Sequence, residues 1–155
     1  MRRRVAVLRG DGSVYGDVYL EQENESSPVV ISGIILGLQP GPHGFHIHEF
    51  GDNSNGYSSV GPHFNPLHKS HGAPTDENRH MGDLGNVTAN VEGTAKFKFT
   101  DSQVTLFGPH SVFARSIVIH EKKDDLGKGG YGSSTTTGNA GAGIAYGVIG
   151  IGSRI

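Results

Sequence analysis

The chain lacks cysteine altogether. Without thiols it can form no disulfide bond, no thiolate metal site such as an iron–sulfur cluster, and no cysteine nucleophile. A chain free of disulfides suits a reducing compartment, and we expect a cytoplasmic protein. Long apolar runs are missing too: none approaches the roughly 18 to 20 residues of a membrane-spanning helix, so no membrane segment is expected.

An excess of charge of one sign is also missing. Thirteen Lys and Arg against 15 Asp and Glu give a formal net charge of −2, so we expect no basic surface that binds nucleic acid or anionic lipid. Aromatic residues make up 8% of the chain, whereas 25 of its 155 residues are glycine. This composition, with no extended helical spacing of Ala, Leu, Glu and Lys, favours short strands joined by long loops.

Segments with the composition or alternation of β-strands follow one another along the chain, with turn residues between them. The sequence Gly10-Asp11-Gly12 separates the first two, as in a β-hairpin. The pattern predicts an all-β fold of about eight strands, and the length suits a single domain over residues 1–155. The predicted strand segments are residues 5–8, 14–20, 29–36, 44–48, 86–91, 94–100, 104–107, 116–120 and 144–151.

Two polar segments are far longer than the usual connection of about four to six residues. Residues 49–82 are rich in Gly, Asn, Ser, Pro and His, and residues 121–143 contain a glycine cluster. A loop of this length needs a reason to be ordered, and metal binding supplies one, because the binding free energy also orders the chain that provides the ligands.

Histidine is abundant, with nine residues, most of them between His43 and His80. His46 and His48 alternate with apolar residues, so both imidazoles lie on one face of a strand. A lone histidine is more often a solvated or core residue than a ligand. A cluster of imidazoles with a carboxylate and no thiolate, however, suits Zn²⁺ and Cu²⁺. The candidate ligands are His46, His48, His63, His71, His80, Asp83 and His120.

Six segments share their sequence and spacing with one protein family. They are HGFHIHEFGD at 43–52, GPHFNP at 61–66, HGAP at 71–74, RHMGDLGNV at 79–87, HEKKDDLGKGG at 120–130 and TGNAG at 137–141. In these segments and in its loop lengths the chain resembles the eukaryotic copper/zinc superoxide dismutases. The resemblance implies an eight-stranded Greek-key β-barrel or sandwich with a metal-binding loop and an electrostatic loop. It also implies copper and zinc as cofactors and superoxide as the small-molecule substrate.

The resemblance assigns a role to each candidate ligand. His63 would bridge the two metals and donate a proton to the peroxide product; a bridging imidazole must lose both ring protons, which is reasonable between two divalent cations. Asp124 matches a carboxylate that hydrogen-bonds to one copper ligand and one zinc ligand and fixes their orientation. The implied copper ligands are His46, His48, His63 and His120, and the implied zinc ligands are His63, His71, His80 and Asp83.

Three positions depart from the family pattern. Tyr57 and Tyr146 stand where the family has the two cysteines of a disulfide, so we expect a looser loop, held at most by packing of the two rings. Gly143 stands where the family has the arginine that guides superoxide to copper. Electrostatic steering typically raises association by about 10- to 10³-fold, so its loss predicts a slower enzyme and a gain on Gly143→Arg.

We interpret the chain as a superoxide dismutase of reduced rate. The alternative is a catalytically weak protein of the same fold that buffers copper and zinc, which a full ligand set without the arginine supports. A copper chaperone would favour thiolates, which are absent, and an interaction scaffold would be expected to lose its ligands. The Phe50-Gly51 pair, Phe113 and the Gly150-Ile151 segment match positions of the family's dimer contacts and favour a homodimer.

Overall fold

The computed structural model describes residues 1–10 and 12–153 of the chain. Those residues form an all-β structure whose one helical segment is a short 3-10 helix, Gly56–Ser59. Within the same residues no helix is long and apolar enough to cross a membrane. The strands are β1 (Arg2–Arg9), β2 (Tyr15–Gln22), β3 (Val29–Leu36), β4 (Gly41–His48), β5 (Asp83–Ala89), β6 (Ala95–Asp101), β7 (Ser116–His120), β8 (Gly143–Val148) and the two-residue β9 (Gly150–Ile151).

The first eight strands form one antiparallel sheet in the order β5-β4-β7-β8-β1-β2-β3-β6, and β9 pairs with β1. The two ends of this path, β5 and β6, are consecutive in sequence and joined by a tight turn in which the Asn90 amide donates to the Thr94 carbonyl at 2.9 Å. The sheet is therefore a nearly closed barrel. Because β3 pairs with β6 and β4 with β7, the connections cross in a Greek key. The predicted fold class is confirmed.

Strands β4 and β7 are buried on both faces, which places them at the centre of the molecule. Their inner faces contribute Phe45 and Ile117 to the hydrophobic core, where the Phe45 ring meets the Phe97 ring edge-on at 5.2 Å. Their outer faces carry His46 and Val118, which are fully buried as well. Since β4 and β7 lie in the barrel wall, the long loops must cover that outer face.

The predicted strand at residues 104–107 is wrong. Val104 and Leu106 are buried in the core, as their alternation suggests. Their backbone amides, however, donate to side chains instead of a neighbouring strand: Val104 to the Asp101 carboxylate at 2.8 Å and Leu106 to the Gln22 side chain at 2.7 Å. Alternating burial does not require strand pairing here, because two buried polar side chains accept the hydrogen bonds of these backbone amides.

Two arginines fasten the long loop of residues 49–82 to the barrel. Arg79 is 1% exposed, and its guanidinium donates to Asp101 at 2.6 Å and to the Pro74 carbonyl at 2.7 Å. Arg115 lies 3.7 Å from the centroid of the Phe64 ring and donates to the Glu49 carbonyl at 3.0 Å. Hydrogen bonds and ring packing of these two arginines therefore anchor the loop at several points without a disulfide.

Candidate metal centre

Strand β4 carries His46 and His48 on its outer face, and β7 ends at His120. Register shifts beside His46 and His120 mark irregularities of the kind that re-aim side chains at functional sites. His63 arrives from the long loop through an isolated backbone bridge to His48. These four residues, which we call the four-histidine group, bring one nitrogen each to within 4.8 Å of the others.

Hydrogen bonds on the far side of three rings fix which nitrogen faces the centre of this group. The Nδ1 atoms of His48 and His120 lie 2.7 and 2.9 Å from the carbonyls of Gly61 and Gly141, which can only accept. Both Nδ1 atoms must therefore carry the proton. Both Nε2 atoms are then unprotonated, face inward 3.4 Å apart, and can each offer a lone pair to a metal. In His46 the roles are reversed, because its Nε2 bonds to Asp124 at 2.7 Å.

The four-histidine group leaves buried nitrogens without partners. His46 Nδ1 and His63 Nε2 are both inaccessible to solvent and make no hydrogen bond in the described structure. An unpaired buried polar atom costs about 1 to 3 kcal/mol. A metal ion accepting the lone pairs of these nitrogens would remove that cost, so the residues present fit a metal bound by four imidazoles.

A second group of ligand atoms is built around one carboxylate oxygen. Asp83 Oδ1 lies 2.9 Å from His63 Nδ1, 2.9 Å from His71 Nδ1 and 3.2 Å from His80 Nδ1. A zinc tetrahedron with ligand distances of about 2.0 Å has edges of roughly 3.3 Å. The contacts of this Asp83 group are therefore close to the edge lengths of such a site.

His46 also lies within reach of the Asp83 group, forming a set with His63, His71 and Asp83 whose ligand atoms are within 4.8 Å of one another. We assign His80 to this group in its place. The His80 Nδ1 is 3.1 Å from His63 Nδ1, whereas the free nitrogen of His46 belongs with the four-histidine group. His63 is then the residue common to both groups, with Nδ1 on one side and Nε2 on the other.

Asp124 joins the two groups through its carboxylate. One oxygen lies 2.7 Å from His46 Nε2 and the other 2.7 Å from His71 Nε2. The Asp124 backbone is held in turn by Asn86, whose side chain accepts from the Asp124 amide at 2.8 Å and donates to its carbonyl at 2.9 Å. Asp124 therefore bonds to one histidine of the four-histidine group and one of the Asp83 group.

Burial keeps the four-histidine group uncharged. It lowers the pKa of His48 to about 3, with a further contribution from His63. It lowers the pKa of His120 to about 4, even though the hydrogen bond to Gly141 acts in the other direction. The rings are therefore neutral at neutral pH, which is the form of imidazole that binds a metal.

The Asp83 group carries charge instead. Burial would raise the pKa of Asp83, but the nearby ring nitrogens of His63, His71 and His80 hold it well below its usual range. Burial would likewise lower the pKa of His71, but hydrogen bonds to Asp124 and Asp83 raise it to about 9. Without a metal, a protonated His71 supplies the positive charge between these two carboxylates.

The metal-free protein should be most stable near pH 6.5. His48 and His120 have folded pKa values of about 3 and 4 against 6.5 in the unfolded chain, so stability falls as the pH drops from about 6.5 to 4. His71, at about 9 in the fold, contributes stability that is complete below about pH 6.5 and is lost as the pH rises through 9.

Melting temperatures of chelator-treated protein between pH 4 and 9 test this dependence. His71→Gln should remove most of the alkaline decline and leave the acidic one. A melting temperature that rises steadily across the range, or an alkaline decline unaffected by His71→Gln, would contradict the assignment of these shifts.

Residues 14–149 match the family described as copper/zinc superoxide dismutase. The chain belongs to the copper/zinc superoxide dismutase family. The match covers most of the chain and includes both ligand groups and strands β2 to β8. The resemblance predicted from the six sequence segments is confirmed.

The family disulfide cannot form in this dismutase-family chain, and its two positions have separate contacts. Of the aromatic contacts in the described residues, those of Tyr57 are with His48 and His120, each at 5.9 Å between ring centroids, and not with Tyr146. The Tyr146 hydroxyl instead lies 3.0 Å from where a Cβ on Gly56 would be. The expected packing of the two tyrosine rings is replaced by contacts of each ring with other residues.

Sequence reasoning did not identify the groups that orient the ligands. The carbonyls of Gly61 and Gly141 and the side chain of Asn86 fix the rings and the Asp124 loop, yet two of the three are backbone atoms that any residue would supply. His43, to which no chemistry was assigned, spans the carbonyls of His120 and Gln39 at 2.8 and 2.7 Å. Only the folded geometry reveals these contacts.

Proposed function

We propose that the chain catalyses the dismutation of superoxide to O₂ and hydrogen peroxide, with copper in the four-histidine group and zinc in the Asp83 group. The observation that carries the proposal is the position of His63. Its Nδ1 lies 2.9 Å from Asp83, while its Nε2 is buried without a partner beside the other three histidines. One ring thus serves two metal positions.

The donor sets support the choice of metals. Four neutral nitrogen donors suit copper, for which imidazole is a preferred ligand. Three imidazoles and one carboxylate in a tetrahedral arrangement are typical of zinc. When bound, copper supplies the one-electron couple that oxidises one superoxide and reduces another.

The protein's own residues hold the geometry and the proton. His63 would take up a proton at Nε2 and give it to the second superoxide as that molecule is reduced, which supplies one of the two protons of hydrogen peroxide, and solvent supplies the other. Asp124 and the carbonyl of Gly61 keep His46 and His48 in one orientation throughout, so little reorganisation is required. The Asp83 group holds the other side of the His63 ring in place.

Metal content of two single variants should separate the two groups. His120→Ala removes one donor from the four-histidine group only, so bound copper should fall while zinc stays near one per chain. His80→Ala removes one donor from the Asp83 group, so zinc should fall more than copper. Elemental analysis after reconstitution and gel filtration measures both metals.

The unsubstituted protein is the control and should bind one copper and one zinc per chain. Equal loss of both metals in both variants would contradict the separate groups. Zinc without copper under copper excess would overturn the proposed chemistry as a whole.

A rate of superoxide dismutation, normalised to bound copper, tests the activity itself. We expect the turnover per bound copper to be higher than that of copper at an unrelated protein site. It should be lower than that of family members with the arginine. Copper-loaded protein without turnover would favour the second candidate, a copper- and zinc-buffering protein. The observation that favours this alternative is Gly143, which stands where the family has its anion-guiding arginine and has the Tyr57 ring packed against it.

We also propose a homodimer and a cytoplasmic location. The dimer is supported by exposed apolar side chains around β1, β8 and β9, where Phe50, Phe113, Val148 and Ile151 are between 38 and 74% exposed. Exposed apolar side chains on neighbouring elements suit an interface with a second copy. The location rests on the lack of cysteine.

A further inference from the structure

Tyr57 lies over one side of the four-histidine group. Its ring meets the His48 ring at an interplanar angle of 69° and the His120 ring at 88°, so it stands edge-on to both. The side chain is half-buried. No cysteine exists to tie this residue to β8, and its position therefore depends on what packs around it.

The Cδ1–Cε1 edge of the Tyr57 ring packs against Gly143, the first residue of β8. A Cβ placed on Gly143 would lie 2.5 Å from Tyr57 Cδ1 and 2.7 Å from Cε1, closer than carbon atoms can approach. The ring can lie there only because residue 143 is glycine. The departures from the family pattern at Tyr57 and Gly143 are thus linked, because the tyrosine ring occupies the space that a side chain at residue 143 would need.

The segment that carries Tyr57 is held in place by local hydrogen bonds. The Ser59 hydroxyl donates to the Asp52 carbonyl at 2.6 Å and accepts from the Asn55 amide at 3.0 Å. These bonds surround the 3-10 helix that contains Tyr57. The ring is therefore positioned from its own segment as well as from Gly143.

Tyr57 separates two clefts. The smaller one, of about 440 Å³, has Gly143, His43 and Tyr146 in its wall, and the larger one, of about 840 Å³, has His48 and His63 in its wall. Tyr57 lines both. Tyr57 is therefore part of the wall of the cleft that reaches His48 and His63.

Two cationic side chains in the wall of the larger cleft make their contacts away from the four-histidine group. Arg115 lies over Phe64 and donates to the Glu49 carbonyl, while Lys69 donates to the Glu77 carbonyl at 3.1 Å. The group nearest the His48 and His120 rings on this side is therefore the Tyr57 ring and not a cation.

We propose that Tyr57 is a specificity-determining residue, whose ring restricts access to the four-histidine group by the size of the ligand and not by its charge. Small linear molecules would be favoured over planar rings. This inference rests on the proposed function, because it requires copper in that group. Steric exclusion of this kind weakens the binding of planar ligands and requires no contact with the small linear ones.

Ligand titrations of copper- and zinc-loaded protein test the proposal without measuring turnover. Azide is the small linear probe and imidazole the planar one, and each is followed by the visible absorption of Cu²⁺. Tyr57→Ala should tighten imidazole binding by about tenfold or more, which corresponds to about 1.4 kcal/mol, and change azide binding by less than about threefold. Tyr57→Phe keeps the ring and should match the unsubstituted protein for both ligands.

Two further variants keep the test decisive. Gly143→Ala places a methyl group against the ring and should displace it, giving the same selectivity change as Tyr57→Ala from the opposite side. Tyr131→Ala, at a tyrosine 69% exposed in the other loop, is the matched control and should change neither affinity.

The outcomes separate this inference from the function on which it rests. Failure of the unsubstituted protein to take up copper would overturn both. Copper uptake with no change in imidazole binding in either Tyr57→Ala or Gly143→Ala would overturn the role of Tyr57 alone. A change of equal size for azide and imidazole would also overturn it, because selection by size would then be absent.

Discussion

Removal of both metals should lower the melting temperature by more than about 15 °C. A ligand present at about 1,000 times its dissociation constant stabilises the folded state by about 4 kcal/mol, so two metals contribute roughly 8 kcal/mol. For a chain of this size each kcal/mol shifts the melting temperature by about 2 to 4 °C. This is the largest effect on stability that we expect from any single treatment.

The structure explains why the loss should be large. Without metal, His46 Nδ1 and His63 Nε2 stay buried and unpaired. The loop of residues 49–82 then depends on Arg79 and Arg115, together with its weaker contacts, since the chain has no disulfide. His71 also connects this loop to Asp124 in the other long loop, so loosening one loop loosens both.

Differential scanning calorimetry of loaded and chelator-treated protein measures the shift. Zinc alone should restore much of it, because the Asp83 group joins His71 and His80 from the loop to the first residue of β5. A thiol reductant is the control and should have no effect in either state, as there is no cysteine to reduce. Equal melting temperatures with and without metal would show that the arginine contacts alone hold the loop.

The all-β fold was predictable from the sequence because most of its strands alternate in burial and are separated by turn residues, whereas the Greek-key barrel was implied by the family resemblance. The prediction was wrong where burial and pairing differ: residues 104–107 alternate like a strand, but their amides bond to Asp101 and Gln22. Strand β5 begins at Asp83, three residues before the predicted start. The earlier start matters for the site, since it puts Asp83 in register with His46.

The ligand set was predictable for a different reason. Metal binding requires particular side chains, and those remain visible as histidines and an aspartate in recognisable segments. The orienting carbonyls of Gly61 and Gly141 leave no such trace, because every residue has one. The contact between Tyr57 and Gly143 was also invisible, since it joins residues 86 positions apart that the family pattern describes only as two separate losses.

This contact changes what restoration of the guiding arginine should do. Sequence alone favours a gain of activity from Gly143→Arg. In the structure, any side chain at residue 143 would overlap Tyr57, and also Val118 Cγ1 at 2.6 Å from the new Cβ. We therefore expect the single substitution to give little gain and to lower the melting temperature. Gly143→Arg combined with Tyr57→Ser removes the overlap with the ring and leaves only the Val118 methyl group to shift.

The double variant should dismute superoxide about tenfold faster than the unsubstituted protein at low ionic strength, within the roughly 10- to 10³-fold range of electrostatic steering. The gain should shrink as salt shortens the Debye length from about 30 Å at 0.01 M to about 8 Å at 0.15 M. Pulse radiolysis at both salt concentrations, normalised to bound copper, measures it. Bound copper should not change.

A matched variant separates charge from space. Gly143→Gln with Tyr57→Ser has a similar side chain without the cation and opens the same cleft. If steering is the missing contribution, this variant should show no salt-dependent gain, and the difference between Arg and Gln should fall as salt rises. Equal gains in both double variants would instead mean that Tyr57 limits the rate by obstruction. Absence of any gain at equal copper content would mean that neither the ring nor the missing cation limits turnover, which would favour the metal-buffering function.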